Sequence, residues 1–287
     1  MTFETYTKQY EELVLPLKKR ATQATFSSHL RALRGAFGSV ELAGLEYGPV
    51  QRYFTGLAAA QKPKSVANRW ATMHLVLRQA QREGLITKIP EPVLPKNGRS
   101  EQEWLTIAQM RAILTAAGDP ALYWLLCETG MRIGEALGLQ PADLNPEKQL
   151  LKIERSIFNG VPGAPKTSSA YRTIAVSRRL RDLLAERNLD CPPGSSIFHT
   201  STGRPLWPST AVGDLHADCK KVGITPVGFH AFRRGHVTHC SQILGMPEAI
   251  LAYRVGHKPP GITLGVYNQP MVGVDTEWAE KMAEALQ

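Results

Sequence analysis

The chain has 287 residues, 43% hydrophobic and 21% charged, with a net charge of +9 and a pI near 9.5. That is the balance of a folded protein with room for two domains and a preference for polyanionic partners. No run of about 20 apolar residues is present, which excludes a membrane helix, and the polar, acid-bearing start MTFETYTKQYEEL is unlike a secretory leader.

Residues 3–84 read as helices separated by short breaks: TFETYTKQYEELVLPLK, ATFSSHLRALRGAFG, EYGPVQRYFTGLAAAQ and KSVANRWATMHLVLRQAQREG. Each repeats apolar residues at three- and four-residue spacing. In the fourth, Val66, Trp70, Met73 and Val76 or Leu77 form one stripe, while Arg69, Arg78 and Arg82 lie elsewhere. Those three arginines form either a solvated basic face or a face laid on a phosphate backbone. Residues 1–95 hold 13 Lys and Arg against 7 Asp and Glu, and the rest of the chain 21 against 18. If nucleic acid binds, the N-terminal part should be a major electrostatic contact.

The stretch TKIPEPVLPKNGRSEQEW, residues 87–104, carries three prolines and few large apolar residues, the composition of a linker. The expected organisation is therefore a helical domain over 1–86, a linker over 87–104 and a second domain over 105–287. The second part opens with the helical patterns TIAQMRAILTAAG, ALYWLLCETG and GEALGLQ. KQLLKIERSIF and YRTIAV then alternate as strands around the turn-rich NGVPGAPKTSSA, and helices resume with SRRLRDLLAERN, PSTAVGDLHADCKKVG, HAFRRGHVTHCSQIL and PEAILAYRVG. The expected fold class is mainly α with a small β-sheet.

Four cysteines, Cys127, Cys191, Cys219 and Cys240, are scattered without CxxC pairing, against a disulfide scaffold or zinc ribbon and consistent with a reducing cytoplasm. HVTHC places His236 and His239 three apart beside Cys240, but a fourth ligand is missing, so no metal is expected. Four other segments in the second domain are polar where a core helix should not be. Arg132 follows Gly130 in ETGMRIGEALGL, where the plain alternative is an ion pair to Glu128 or Glu135. Lys166 lies between two strands, where a solvated lysine is ordinary. His230 and Arg233 are three apart and share a helical face. His257 follows Gly256 and is followed by Tyr267.

Singly, each has a bland reading. Their order and spacing, Arg132, Lys166, His230-x-x-Arg233, Gly256-His257, Tyr267, resemble the tyrosine recombinase (phage integrase) family in every catalytic segment. The organisation also resembles it: a basic helical core-binding domain, a Pro-rich linker and a mixed catalytic domain. The resemblance departs at Arg234–Gly235, where His-Thr or His-Ser is frequent, and at Arg254–Val255, where a leucine commonly precedes the glycine.

The residue types suit the implied chemistry. Tyrosine titrates near pH 10 and needs nearby cations to be a nucleophile. Guanidiniums are always charged and can give a phosphate two parallel hydrogen bonds. The resemblance accordingly assigns Arg132 and Arg233 to the scissile phosphate, with His257 as a further donor and His230 beside the nucleophile Tyr267. It makes Lys166 the acid for the leaving 5′-hydroxyl and Glu135 a support for Arg132. Among the eight tyrosines, Tyr253 reads as packing and Tyr171 begins a strand. Arg69, Arg78, Arg82 and Arg234 are the expected DNA contacts, and neither cofactor nor metal is required.

The partners implied are double-stranded DNA with a specific recombination site and further copies of the chain, as a tetrameric synapse, in the cytoplasm with no membrane. After Tyr267, Asp275 or Thr276 could cap a helix with Trp278, Met282 and Leu286 on one side. That tail packs either on its own domain or on a neighbouring protomer. With the helical pattern beginning near residue 3, no extra N-terminal arm-binding domain is expected. A type IB topoisomerase-like relaxing enzyme and a catalytically silent DNA-binding regulator are the alternatives.

Overall fold

The computed structural model describes residues 1–96, 104–158, 160–163, 171–189, 191–192, 194–200, 203–257 and 273–287. The chain divides into two compact units, Met1–Glu101 and Gln102–Gln287.

The first unit is built on four helices: α1 (Phe3–Leu13), α2 (Arg20–Phe37), α3 (Tyr47–Ala60) and α4 (Pro63–Arg82). Thr2 caps α1 by accepting from the Thr5 amide, and Pro63 opens α4, where a missing N–H costs nothing. The core is a ladder of edge-on aromatic rings running Phe3, Phe37, Tyr53, Phe54, Trp70, with centroids 5.1–6.2 Å apart. Leu30, Leu33, Val50, Val66, Met73, Val76 and Leu77 fill the space around it. The stripe expected on α4 is thus the packed face, with Trp70 at its edge.

The segment after α4 differs from a free tether. Ile89 and Leu94 pack on this core, and the Gln51 side chain donates to the Val93 carbonyl (3.1 Å) and accepts from its amide (2.7 Å). Apolar residues between the prolines give this stretch something to bury, so residues 87–96 form a strap on the first unit.

In the second unit, Thr106 and Gln109 form a capping box on α5 (Ile107–Ala116). Helix α6 (Ala121–Thr129) is buried at every position, as its near-uniform apolarity dictates. Around it pack α5, α7 (Ile133–Leu137), α8 (Arg178–Leu189), α10 (His230–Gln242) and the C-terminal α12 (Thr276–Leu286); α9 (Pro208–Lys221) and α11 (Glu248–Val255) complete the helices. The three-stranded sheet has the order β1 (Leu144–Asn145), β2 (Leu150–Ile153), β5 (Arg172–Ala175), all antiparallel, with Leu151 opposite Ile174.

The expected strand KQLLKIERSIF is broken. Its second half, β3 (Ser156–Phe158), pairs with β4 (Val161–Gly163) in a separate hairpin. The break falls at Arg155, whose guanidinium grips both oxygens of Asp143 at 2.8–3.0 Å and turns the chain out of the first sheet.

Helix α12 lies on its own unit, with Met282, Ala283 and Leu286 in the core and the Ala285 carbonyl accepting from Arg111 (2.7 Å). Asp275 does not cap it. The Asp275 carboxylate instead accepts from the Ala175 amide on β5 and from the Arg254 guanidinium.

Candidate active site

Helix α6 ends at Gly130, whose left-handed backbone (φ 61°) turns the chain toward α7. No side chain fits here, since a Cβ would stand 2.5 Å from the His236 ring. Two residues later Arg132 sits at the N-cap of α7 in an extended conformation. Glu135 reaches back to it, accepting from the Arg132 amide at 3.2 Å and from Nη1 at 2.8 Å. Between the two possible partners of Arg132 the structure selects Glu135. Glu128 turns inward to the Ser177 amide (2.8 Å) and hydroxyl (2.6 Å) and the Trp124 indole (3.2 Å), and burial pushes its pKa up to about 7.

The other oxygen of Glu135 takes a second guanidinium, from Arg172 at 2.9 Å. Burial alone would raise the Glu135 pKa, but Arg172 and Arg132 together hold it below the usual carboxylate value. Arg172, with its side chain fully buried, is a residue the sequence reasoning missed. The signal was available, because Arg172 and Ile174 share the inward face of a strand by the two-residue alternation. An arginine pointing into a core requires acceptors there, a carboxylate or main-chain carbonyls.

Arg233 projects from α10 and is 6% exposed. Its Nη1 donates to the Gly130 carbonyl (2.8 Å) and its Nη2 to the Val255 carbonyl (2.6 Å). Those carbonyls close α6 and α11, where the helix dipoles are negative, so the cation is held by main chain from two directions. Three of its five N–H donors have no hydrogen-bond partner among the described residues. Burial, followed by the charge of Arg132, lowers the Arg233 pKa to about 10, leaving it protonated at neutral pH. Gly235 lets α10 come this close, because a Cβ there would be 2.2 Å from the Leu105 carbonyl oxygen. The helix-weakening glycine at the family departure is a packing requirement of this chain.

His257 follows the left-handed cap Gly256 (φ 66°), its amide bonded to the Ala252 carbonyl at 2.8 Å. Its ring is accessible, and partial desolvation with the charges of Arg233, Arg132 and Arg172 lowers its pKa. His230 opens α10; its pKa is lowered by partial desolvation and by Arg233, Arg234 and Arg132. Both shifts favour the neutral imidazole, which donates from one nitrogen and accepts at the other. Arg132, Glu135, His230, Arg233 and His257 therefore come together, with Arg172 added. Lys166 and Tyr267 lie outside the described residues.

The expected DNA contacts divide. Arg78 and Arg82 are exposed on the outer face of α4, whereas Arg69 lies on the flank of the packed face and donates to the Tyr53 hydroxyl at 3.4 Å. Arg234 is half-buried beside His230. The HVTHC cluster forms part of the core: His236 donates from Nδ1 to the Cys127 carbonyl (2.9 Å) and lies 3.6 Å from the Cys240 sulfur. No group of three or more His, Cys, Asp or Glu placed to hold a metal occurs among the described residues. Nor is any helix among them long and apolar enough to cross a membrane.

Comparison with known proteins identifies the fold and the family. The model of the phage integrase family matches residues 103–272. A tyrosine recombinase XerC-like protein of Caldanaerobacter subterraneus is 24% identical over 302 residues, covering 89% of this chain and 76% of that protein. The integrase of Staphylococcus phage L54a is 27% identical over 192 residues, 61% of this chain and 53% of that protein. In fold, the Tn1549 transposon integrase in complex with a circular intermediate DNA superposes with a TM-score of 0.79 at 20% identity, covering 99% of both chains. A lambda integrase dimer bound to a core site gives 0.71 at 19% identity, covering 96% of this chain and all of that one. The family match makes the chain a tyrosine-type recombinase, an enzyme class that cuts and rejoins DNA. The chain belongs to the phage integrase family.

Proposed function

We propose that this chain is an integrase- or Xer-like site-specific recombinase that acts on double-stranded DNA through a 3′-phosphotyrosyl intermediate and exchanges strands between two sites. The observation that carries the reading is the gathering of Arg132, Arg233 and Arg172 around His257, although like charges repel. Among the described residues Glu135 is the one carboxylate paired within it, so three guanidiniums leave a net positive charge that a further anion would balance. A DNA phosphodiester, whose negative charge grows in the transition state, supplies the anion.

In this mechanism Arg132 and Arg233 hold the non-bridging oxygens, and each is fixed beforehand, by Glu135 or by main-chain carbonyls. His257 donates a further hydrogen bond. The Tyr267 oxygen attacks phosphorus, its proton passing by way of His230, and the 5′-oxygen leaves with a proton from Lys166. Trading one phosphate ester for another is nearly balanced, so the phosphotyrosyl bond keeps the energy for rejoining. Arg78 and Arg82 contact the backbone of flanking DNA, with Arg69 and Arg234 nearer the framework. Four copies act on two sites in the cytoplasm. Any exchange of α12 between copies has to re-bury on a neighbour the face that Met282 and Leu286 now bury at home.

The test begins in the native cell. Rapid denaturation traps covalent protein–DNA fragments, whose sequencing gives the site; a nicked duplex of that sequence then serves as a suicide substrate. The parent protein should form an adduct that resists denaturation, and Tyr267→Phe should form none. Joining of two labelled sites distinguishes recombination from relaxation alone. A parent protein that binds the trapped sequence without ever forming an adduct would be a silent regulator, and the proposal would be lost.

A further inference from the structure

The largest fully buried side chain among the described residues is Arg254, three residues before His257. Its Nη1 donates to the Ala175 carbonyl (2.9 Å) and to Asp275, and its Nη2 donates to the Glu128 carbonyl (3.1 Å). Asp275, equally buried, accepts from the Ala175 amide at 3.1 and 3.2 Å. Both main-chain groups of one residue on the outer side of β5 are thus occupied by a single ion pair. Two residues along the strand, the Tyr253 hydroxyl does the same for Thr173, donating to its carbonyl (2.9 Å) and accepting from its amide (3.2 Å). Strand β5 is the edge of its sheet, and these side chains take the hydrogen bonds that a further strand would have made.

The place of the pair in the chain is what gives it meaning. Arg254 fixes the last turn of α11, whose carbonyls hold the other cations: the Arg254 carbonyl accepts from Arg172 at 2.8 Å and the next one, of Val255, from Arg233. Asp275 fixes the start of α12. His257 and Tyr267 lie between these two anchors in sequence. For stability alone the pair is a poor choice. Nε of Arg254 is buried without a hydrogen-bond partner among the described residues, and well-packed apolar residues commonly replace buried ion pairs at no loss. An ion pair gives direction and register, which apolar packing does not.

We propose that the buried Arg254–Asp275 pair is a positioning clamp that ties both ends of the chain segment carrying His257 and Tyr267 to β5, setting the nucleophile's reach to the phosphate. The inference rests on Tyr267 being the nucleophile. It makes Arg254 and Asp275 positioning residues, since neither touches the reacting atoms.

The test compares the full-length parent with Arg254→Met/Asp275→Leu and with Asp275→Asn, a near-isosteric change that removes the charge and keeps an acceptor for Ala175. Each is assayed with the nicked duplex described above, at a temperature where all are fully folded by their melting curves. Affinity for the intact duplex should be unchanged, while the single-turnover rate of adduct formation at saturating protein falls about 10–100-fold, the cost of misplacing reacting groups by about an ångström. Arg254→Lys, which keeps the charge but loses the fork, should recover part of the rate. If the double variant does not fold, Asp275→Asn decides alone. Parental rates in the folded variants overturn the clamp and leave the function intact. Affinity and rate falling together in proportion to lost stability also overturn it, since a merely structural pair would do that. No adduct from the parent, or one from Tyr267→Phe, would remove the underlying reading instead.

Discussion

The two units use the same residue type in opposite ways. In the first, Arg78 and Arg82 stand in solvent on α4 while an aromatic ladder makes the core. In the second, Arg172, Arg233 and Arg254 are themselves core residues, each held by a carboxylate, by main-chain carbonyls or by both. Solvated arginines supply a field that salt screens and that tolerates rearrangement. Buried ones supply fixed donors whose position was settled when the protein folded. In the proposed mechanism the exposed arginines hold a long polyanion, whereas of the buried ones Arg233 grips one phosphate and Arg172 and Arg254 hold the frame around it.

That contrast can be broken from the buried side first. Arg233→Ala should lower the rate of covalent adduct formation by about 10²–10³ or more, as expected for loss of a transition-state donor. Arg233→Lys should recover little, because an ammonium cannot span the Gly130 and Val255 carbonyls as a fork does. Arg172→Met should cost about 3 kcal/mol in urea unfolding of the second unit, the low end for breaking a buried pair, since Glu135 keeps Arg132. Gly235→Ala should destabilise by about 1–3 kcal/mol through overpacking against Leu105 and Met110, with the melting temperature as readout.

A separate effect comes from pH. The buried His236 ring has its pKa lowered to about 3 by burial, then by Arg254, against an ordinary 6.5. Below pH 6.5 the unfolded chain takes up this proton and the folded one does not, so stability falls as pH drops from 6.5 toward 3. His236→Asn should remove this contribution, so the stability of the parent minus that of the variant falls as pH drops through that interval. Glu128, raised to about 7, has a slope of opposite sign from 4.5 to 7 in both proteins, so the difference between them isolates the histidine.

The exposed side should respond least. Arg78→Ala/Arg82→Ala should leave folding and single-turnover cleavage at saturation unchanged. It should weaken DNA binding uniformly across sequences and reduce the slope of log affinity against log salt by about 0.9 per lost phosphate contact.

Helix periodicity and turn residues made most of the fold legible, because a helix announces its buried face every three or four residues. The β-region was less legible. Nothing in the alternation of KQLLKIERSIF marks Arg155 as the residue that leaves one sheet for another, since the cause is Asp143, twelve residues earlier. The candidate site was legible as a set of residue types in order, which is how Arg132, Glu135, His230, Arg233 and His257 were singled out. What escaped was the frame around it. Arg172 and Arg254 sit at apolar positions of a strand and a helix, and Asp275 reads locally as a helix cap. Their partners come from distant parts of the chain, and local patterns carry no information about pairs closed only by folding.

The oxygens that hold Arg233 belong to the polypeptide itself. No point substitution at Val255 can delete its carbonyl, so this anchorage is insensitive to side-chain drift and yields only to changes in backbone course, above all at Gly130. Libraries that vary surface positions to retarget the enzyme can therefore range widely while that grip stays intact.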